Sequence, residues 1–164
     1  MSPDLLDPEP GLTVVEIMHA ITDGKIRGLY VQGENPAMSD PDANHAREAL
    51  AALDHLVVQD IFLTETAYLA DVILPASAFP EKTGTFTNTD RTVQMGRQAL
   101  NPPGEAKQDL WIIQQMANRL GLDWQYKHVS EVFDEMRHTM PSIAGITWDL
   151  SLIHISEPTR PLYI

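Results

Sequence analysis

The stretch VVQDIFLTETAYLADVILP, residues 57–75, contains two apolar runs of strand length on either side of a polar segment. The runs LVVQDIF (56–62) and DVILPA (71–76) predict β-strands, and TETAYLA (64–70) between them predicts a short helix. A strand, a helix and a second strand at this spacing are typical of a βαβ unit with parallel strands. Because both runs are continuously apolar, we expect helices to cover both faces of the sheet.

The residues before this stretch extend the same alternation toward the N-terminus. A capping-box pattern at Thr13 and Glu16 predicts the start of a helix. RGLYVQG (27–33) predicts a strand that ends at a glycine, and Ser39-Asp40-Pro41 predicts the start of a second helix with proline in its first turn. We therefore expect an α/β fold, a Rossmann-like three-layer sheet with parallel strands near 28–32, 56–61 and 71–75.

The pattern changes after this core. Residues 79–100 are rich in Thr, Gly and Asn and predict a loop and β-hairpin region, and helices are predicted over 108–121 and 130–140. We divide the chain into a Pro- and Asp-rich linker (1–10), one α/β domain (11–150) and a tail (151–164). The tail, SLIHISEPTRPLYI, continues no period and contains two prolines, so we expect it to be non-native or disordered.

The composition limits what the chain can bind. It has 164 residues and a formal net charge of −12, so phosphate contacts to a nucleic acid are unfavourable. The absence of cysteine excludes disulfides, thiolate zinc sites and iron–sulfur ligation by these residues, and the histidines show no paired spacing for a metal. No apolar run is long enough to cross a bilayer, and the N-terminus carries no secretory signal pattern. These features predict a cytoplasmic protein without a nucleic-acid or membrane partner.

Polar clusters follow two of the predicted strands, 27–33 and 56–62. In an open parallel sheet, ligands bind beyond the carboxyl ends of the strands, so these clusters are candidate binding residues. Glycine allows close approach of a ligand, a carboxylate can accept hydrogen bonds from a guanine edge or a ribose, and a helix start favours an anion such as pyrophosphate. As an alternative, the same residues are helix caps and turn formers. The candidates are Gly33, Glu34, Asn35, Gln59, Asp60 and Thr64.

Lys82 and Asp109 are two further candidates. Lys82 lies in EKTGTFTN (81–88), whose glycine and small threonines allow the chain to fold tightly over a bound group. Asp109 opens the predicted 108–121 helix, where the helix dipole favours a carboxylate in any case. Considered singly, they are also typical of a surface lysine and a helix N-terminal acid. The sequence contains no G-x-G-x-x-G motif, so an ordinary nicotinamide-binding loop is not supported.

Five segments together resemble one family, the molybdopterin-dependent oxidoreductases related to dimethyl-sulfoxide reductase. Within that family the sequence is most similar to the alpha (catalytic) subunit of cytosolic NAD-dependent formate dehydrogenase. The resemblance covers about residues 11–150, and the order and spacing of the segments agree throughout. They are GENPAMSDPD (33–42), VVQDIFLTETAYLADVILP (57–75), EKTGTFTNTDR (81–91), PPGEAKQDLWII (102–113) and MPSIAGITW (140–148).

The resemblance implies an α/β domain that binds the guanosine arm of bis-molybdopterin guanine dinucleotide, which carries molybdenum or tungsten. Five residues match cofactor-contacting positions of the family: Asn35, Gln59, Asp60, Lys82 and Asp109. Their neighbours Gly33, Glu34 and Thr64 are carried over with them. The sequence departs from the family at Thr92, where many relatives have a second arginine after the counterpart of Arg91.

The resemblance also implies that the chain is an internal fragment of a longer subunit, because the metal-ligating residue and the iron–sulfur cysteines of the family are missing. Expected partners are the remainder of the alpha subunit and iron–sulfur and flavin subunits that reduce NAD. The fragment alone is expected to be inactive. Three alternatives stay open: another molybdopterin oxidoreductase such as nitrate reductase, the large iron–sulfur subunit of NADH:quinone oxidoreductase, and a nucleotide-binding module of another class.

Overall fold

The computed structural model describes residues 9–150. The chain folds as two compact units that divide between Ala76 and Ser77, and each unit is described by itself. The predicted tail (151–164) and most of the predicted linker (1–10) lie outside the described residues. Within the described part, no helix is long and apolar enough to cross a membrane.

The first unit is built on a parallel three-stranded sheet. Its strands are β1 (Gly28–Gln32), β2 (His55–Asp60) and β3 (Val72–Pro75), and their spatial order is β1-β2-β3. All of the pairings are parallel. The predicted α/β fold with a parallel sheet is therefore confirmed, and the three strands lie within two residues of their predicted positions.

Helices α1 (Val14–Thr22) and α3 (Ala43–Ala51) pack against this sheet. The predicted capping box at the start of α1 is present: the Thr13 hydroxyl accepts from the backbone N–H of Glu16, and the Glu16 carboxylate accepts from the N–H of Thr13 at 2.7 Å. The buried core of the unit combines side chains from both helices with strand residues of one sheet face. Its larger members are Met18, Ile21, Val31, Leu50, Leu56 and Val58.

The start of α3 differs from the prediction. The sequence predicts a helix start at Ser39-Asp40-Pro41, but the structure has a separate short helix α2 (Pro36–Ser39), and α3 begins only at Ala43. The Asp42 carboxylate caps α3 by accepting from the N–H of His45 at 3.1 Å. Because Asp42 satisfies this N–H group, the helix begins after Pro41 rather than around it.

The connection from β2 to β3 also differs from the prediction. A helix over 64–70 was expected, but only Ala67–Leu69 form a single 3-10 turn. The Thr64 hydroxyl accepts from the N–H of Ala67 at 3.2 Å, and the Thr64 carbonyl accepts from the N–H of Tyr68 at 3.0 Å. These bonds close a compact turn that the following strand interrupts before a helix can continue.

The second unit contains an antiparallel hairpin and two helices. The hairpin pairs β4 (Gly84–Thr87) with β5 (Val93–Gly96), which confirms the prediction for 79–100. Helices α4 (Asp109–Arg119) and α5 (Val129–Thr139) follow, within one or two residues of the predicted bounds. A small core of this unit contains Val93, Phe133 and Ile146, with Trp148 packed against it.

Candidate functional site

The carboxyl edge of the parallel sheet brings the ends of β1 and β2 together. The backbone N–H of Gly33 donates to the carbonyl of Gln59 at 2.9 Å, which continues the ladder one residue past β1. Gly33 has a φ of 63°, in the left-handed region that favours glycine, and a β-carbon there would meet nothing within 4 Å. The chain therefore turns away sharply and leaves open space beside the strand ends.

Asn35 joins the loop after β1 to the loop after β2. Its side-chain oxygen accepts from the backbone N–H of Thr66 at 3.1 Å and from the Thr66 hydroxyl at 2.8 Å. Its amide nitrogen donates to the Glu65 carboxylate at 2.6 Å. The Asn35 bond is the main reason why the pKa of Glu65 lies below its usual range. Asn35 thus holds the two loops in a fixed arrangement.

Thr66 is the buried centre of this arrangement and was not predicted from the sequence. Its side chain is fully buried, and its hydroxyl oxygen accepts from the N–H of Ala37 at 3.1 Å while the hydroxyl donates to Asn35. Because this buried hydroxyl both donates and accepts a hydrogen bond, it stabilises the loops after β1 and β2 and is not available to a ligand. The only signal in the sequence was its position in the polar segment TET (64–66).

Asp60 ends β2 and forms the turn that follows it. One carboxylate oxygen accepts from the N–H groups of Ile61 at 2.6 Å and Phe62 at 3.1 Å. The second oxygen has no hydrogen-bond partner among residues 9–150, and the side chain is half-buried. The turn therefore fixes the carboxylate at the sheet edge and leaves one oxygen able to accept a hydrogen bond from a ligand.

The other predicted residues of this edge have different environments. Gln59 is fully buried, and its side-chain oxygen accepts from the hydroxyl of Tyr30. Glu34 is exposed and makes no side-chain hydrogen bond within the described residues. Thr64 does not begin a helix, and its hydroxyl satisfies the N–H of Ala67. The expected anion site at a helix start at Thr64 is therefore not formed.

In the second unit, Lys82 and Asp109 form an ion pair across 27 positions of the sequence. The Lys82 ammonium also donates to the carbonyl of Ser77 at 3.1 Å. The two charged side chains are 28% and 26% exposed, and Asp109 is the first residue of α4, where the helix dipole adds to the stabilisation of its charge. An ammonium group has three donors, so the pair leaves Lys82 one N–H group for a further acceptor.

Ser77 is the residue of this cluster that sequence reasoning missed. It is fully buried, and its hydroxyl has no partner within the part of the chain that the structure describes. A buried hydroxyl without a hydrogen-bond partner is unusual in a folded protein, so we expect a partner outside the described residues. Its sequence signal was weak, a single hydroxyl in the small-residue run PASA (75–78) after β3.

The structure thus places most of the predicted residues, together with Ser77, in two sets. The edge set contains Gly33, Asn35, Gln59 and Asp60 in the first unit, and the second set is Ser77, Lys82 and Asp109 in the second unit. Both sets offer hydrogen-bond donors and acceptors suited to a polar, charged organic ligand. Among residues 9–150, no group of three or more His, Asp or Glu side chains could hold a metal ion.

The chain is similar to known proteins of one family. The family model for molybdopterin oxidoreductase matches residues 6–119. The chain is 49% identical over 145 residues to a putative formate dehydrogenase of Bacillus subtilis (strain 168), covering 88% of this chain and 15% of that protein. It is 53% identical over 146 residues to the F420-dependent formate dehydrogenase subunit alpha of Methanocaldococcus jannaschii, covering 87% and 21%.

A solved structure shows the same fold. Acetylene hydratase from Pelobacter acetylenicus matches with a TM-score of 0.66 and 25% sequence identity, over 82% of this chain and 19% of that chain. The chain therefore spans about 15 to 21% of the length of the curated relatives and of this structure. This share agrees with the prediction of a segment from a longer protein.

Proposed function

Because this chain belongs to the molybdopterin oxidoreductase family, we propose that it is the segment of a formate dehydrogenase catalytic subunit that binds the guanosine arm of bis-molybdopterin guanine dinucleotide. The family implies a molybdopterin cofactor with molybdenum or tungsten. The relatives at 48 to 53% identity are named as formate dehydrogenases, which supports the choice of substrate. The proposal includes a cytoplasmic location.

The observation that carries the proposal is the state of Asp60 at the carboxyl edge of the sheet. Its turn holds one carboxylate oxygen, while the other oxygen accepts nothing from residues 9–150. The Watson–Crick edge of guanine presents a pair of N–H donors to an acceptor. The Watson–Crick edge of adenine lacks this pair. Gly33 beside it allows the backbone to approach a ring closely. A guanosine is therefore a better fit to this edge than an adenosine.

The second set of residues, in the second unit, fits an anionic or carbonyl-rich group of a cofactor. Lys82 has one ammonium N–H left after its bonds to Ser77 and Asp109, and the Ser77 hydroxyl is buried without a partner in the described range. Phosphate and pterin oxygens are acceptors that both groups can serve. In the proposal Lys82 contacts the cofactor, and Asp109 positions Lys82.

In the proposed whole enzyme, the cofactor would supply the metal centre for the oxidation of formate to carbon dioxide, in which formate gives up two electrons and a proton. The residues of this chain bind and orient the cofactor. We propose that the electrons pass through iron–sulfur clusters elsewhere in the subunit and then through a flavin subunit to NAD. The relative from Methanocaldococcus jannaschii is named for F420 instead. An activity assay should therefore test both NAD and F420 as electron acceptors.

Nucleotide binding by the chain tests the proposal. We expect residues 1–164 to bind GDP more tightly than ADP in calorimetric titration. Asp60→Ala removes a charge-assisted hydrogen bond worth about 1.5–3 kcal/mol, so GDP affinity should fall about 10- to 100-fold. Asp54→Ala is the matched control, because Asp54 precedes the opposite end of β2 and pairs with Arg27. Equal binding of GDP and ADP, or an unchanged affinity in Asp60→Ala, would contradict the proposal.

A measurement on the intact subunit separates cofactor binding from chemistry. Asp60→Ala should reduce the molybdenum or tungsten and the guanine nucleotide content per subunit, while activity per bound metal stays near normal. The chain alone should reduce neither NAD nor F420 with formate. Full cofactor content with activity abolished would place Asp60 in the chemical step and contradict its role in binding.

A further inference from the structure

Two histidines from different helices lie side by side in the first unit. His19 belongs to α1 and His45 to α3, and the centroids of their rings are 4.8 Å apart with an angle of 37° between the ring planes. The His19 side chain is exposed, and the His45 side chain is half-buried. A neutral imidazole is the commonest metal ligand in proteins. The fold therefore brings together two metal ligands that no spacing in the sequence pairs.

The separation of the two rings matches the distance that a single metal ion requires. A bond from Zn²⁺ to a histidine nitrogen is about 2.0–2.1 Å long, so the centroid of a ligating ring lies about 3.2 Å from the ion. Two such centroids are about 4.5 Å apart when the angle at the ion is about 90°, and about 5.2 Å apart at the tetrahedral angle. The observed 4.8 Å lies between these values. One ion can therefore be bound without movement of the helices.

The hydrogen bonds of Thr22 determine which nitrogen of His45 can bind a metal. The Thr22 hydroxyl donates its proton to the carbonyl of Met18 at 3.1 Å, and its oxygen lies 3.1 Å from Nε2 of His45. Because the hydroxyl has no second proton, Nε2 of His45 carries a proton and donates it to the Thr22 oxygen. The lone pair of the ring then lies on Nδ1. Histidines that bind metals almost always donate their other N–H to an acceptor, and Thr22 is such an acceptor here.

His19 can supply the second nitrogen. Its side chain makes no hydrogen bond within residues 9–150, so the ring can rotate about χ2 while its centroid stays almost in place. Asp23 interacts electrostatically with His19, but its carboxylate pairs with Lys25 at 2.9 Å. Since no group of three His, Asp or Glu side chains in the described range could hold a metal ion, the protein supplies two ligands and water the others.

From these features we propose that His19 and His45 form a binding site for one divalent transition-metal ion of the Zn²⁺ or Ni²⁺ type, with water completing its coordination. Imidazole suits Zn²⁺, Ni²⁺ and Cu²⁺, whereas Mg²⁺ and Ca²⁺ take oxygen ligands. A bound ion joins α1 to α3 and stabilises the folded unit, because the unfolded chain does not hold the two rings together. The site shares no residue with the proposed cofactor contacts and does not rest on the proposed function.

A packing contact without a metal is the competing interpretation. In that case His45 only donates a hydrogen bond to Thr22, and the ring of His19 only covers it. The exposed His19 ring without a hydrogen bond in the described residues favours the metal site, and the net charge of −12 attracts cations. The two interpretations differ in one measurable respect. A packing contact stabilises the fold equally with and without a metal ion, whereas a metal site stabilises it more when the ion is present.

Calorimetric titration of residues 1–164 with Zn²⁺ is the first test. We expect one equivalent to bind with a dissociation constant of about 1–100 µM, because the site has half the protein ligands of a structural zinc site. Mg²⁺ should not bind in this range. His19→Gln and His45→Gln should each weaken Zn²⁺ binding at least about 10-fold, since the loss of an outer-shell partner alone typically costs that much.

His55→Gln is the matched control for this titration. His55 is an exposed histidine that lies 3.6 Å from the Asp71 carboxylate, so its removal should leave the affinity for Zn²⁺ unchanged. Equal binding by His19→Gln and the unsubstituted chain would overturn the inference. Loss of binding in His55→Gln would also overturn it.

Thr22→Val tests the position of the His45 ring. The substitution keeps the shape of the side chain but removes the acceptor of the Nε2–H group, so the affinity for Zn²⁺ should fall about 10-fold. Thr139→Val is the control, because the Thr139 hydroxyl also donates to a helix carbonyl, that of Met136 at 3.0 Å, but in α5. Equal affinities of the two variants would overturn the inference, because Thr22 would then not hold the ring for a metal ion.

Unfolding and NMR measurements locate the bound ion. Excess Zn²⁺ should raise the urea midpoint of the unsubstituted chain and leave that of His19→Gln unchanged. The ring resonances of His19 and His45 should shift together with the first equivalent of Zn²⁺, and those of His128 should not. Equal stabilisation of both chains, or shifts confined to other histidines, would show that the two rings only pack together and would overturn the inference.

Discussion

The ion pair between Lys82 and Asp109 should contribute measurably to folding. Exposed pairs contribute about 0.2–1 kcal/mol, and loss of one partner from a fully buried pair costs about 3–5 kcal/mol. These two side chains are 28% and 26% exposed, so the pair is intermediate between an exposed pair and a fully buried pair. We expect a coupling free energy of about 1–2 kcal/mol between them.

A double-mutant cycle isolates this coupling. The cycle compares Lys82→Met, Asp109→Asn and the double variant by urea unfolding, which subtracts the other contacts of each residue. Each single substitution should destabilise the chain, because it leaves a partly buried charge without its partner. The double variant should be destabilised by less than the sum of the two.

The pair Arg27–Asp54 is the matched control. It also joins residues 27 positions apart, but its side chains are 80% and 55% exposed. Its coupling should lie at or below about 0.5 kcal/mol and should weaken further in high salt. A coupling at Lys82–Asp109 no larger than that at Arg27–Asp54 would refute the argument that partial burial strengthens the pair.

Two further predictions concern the carboxyl edge of the sheet. Gly33→Ala should destabilise the chain by about 1–2 kcal/mol in urea unfolding, because alanine is strained at a φ of 63° although its β-carbon has space. Gly28→Ala, whose β-carbon would lie 3.7 Å from a backbone oxygen in ordinary contact, should not destabilise it. The hydrogen bond from Asn35 lowers the pKa of Glu65, so its stabilisation is present above the ordinary value of 4.5 and is lost as pH falls through the lowered value. The side-chain amide resonance of Asn35 should shift in that acidic range by NMR, and a pH response that persists in Glu65→Gln would contradict the assignment.

Much of the fold was predictable because its signals are local. The apolar runs of β2 and β3, the capping box at Thr13 and the glycine that ends β1 each depend on a few neighbouring residues. The misplaced start of α3 shows the limit of such signals. Ser39 and Asp42 are both good N-cap residues, and the choice between them depended on the short helix at Pro36–Ser39, which the sequence pattern did not indicate.

The sequence predicted which types of residue lie at the strand ends of the candidate site, but not the role of each residue there. Sequence reasoning selected Asn35 as a ligand contact, whereas the structure uses its amide to join two loops. It selected Lys82 and Asp109 separately and did not predict that they pair. It missed Ser77 and Thr66, because a buried hydroxyl has no distinctive sequence pattern.

The sequence by itself determined the fold class and the parallel direction of the strands, and it predicted the edge of the sheet at which a ligand binds. These follow from periodicity and from the requirement that parallel strands end on the same side. Only the tertiary structure decided which polar groups satisfy each other and which keep a free donor or acceptor. The physical reason is that hydrogen bonds such as those of Asn35 and Lys82 join residues about 30 positions apart. Their geometry exists only after the chain has folded.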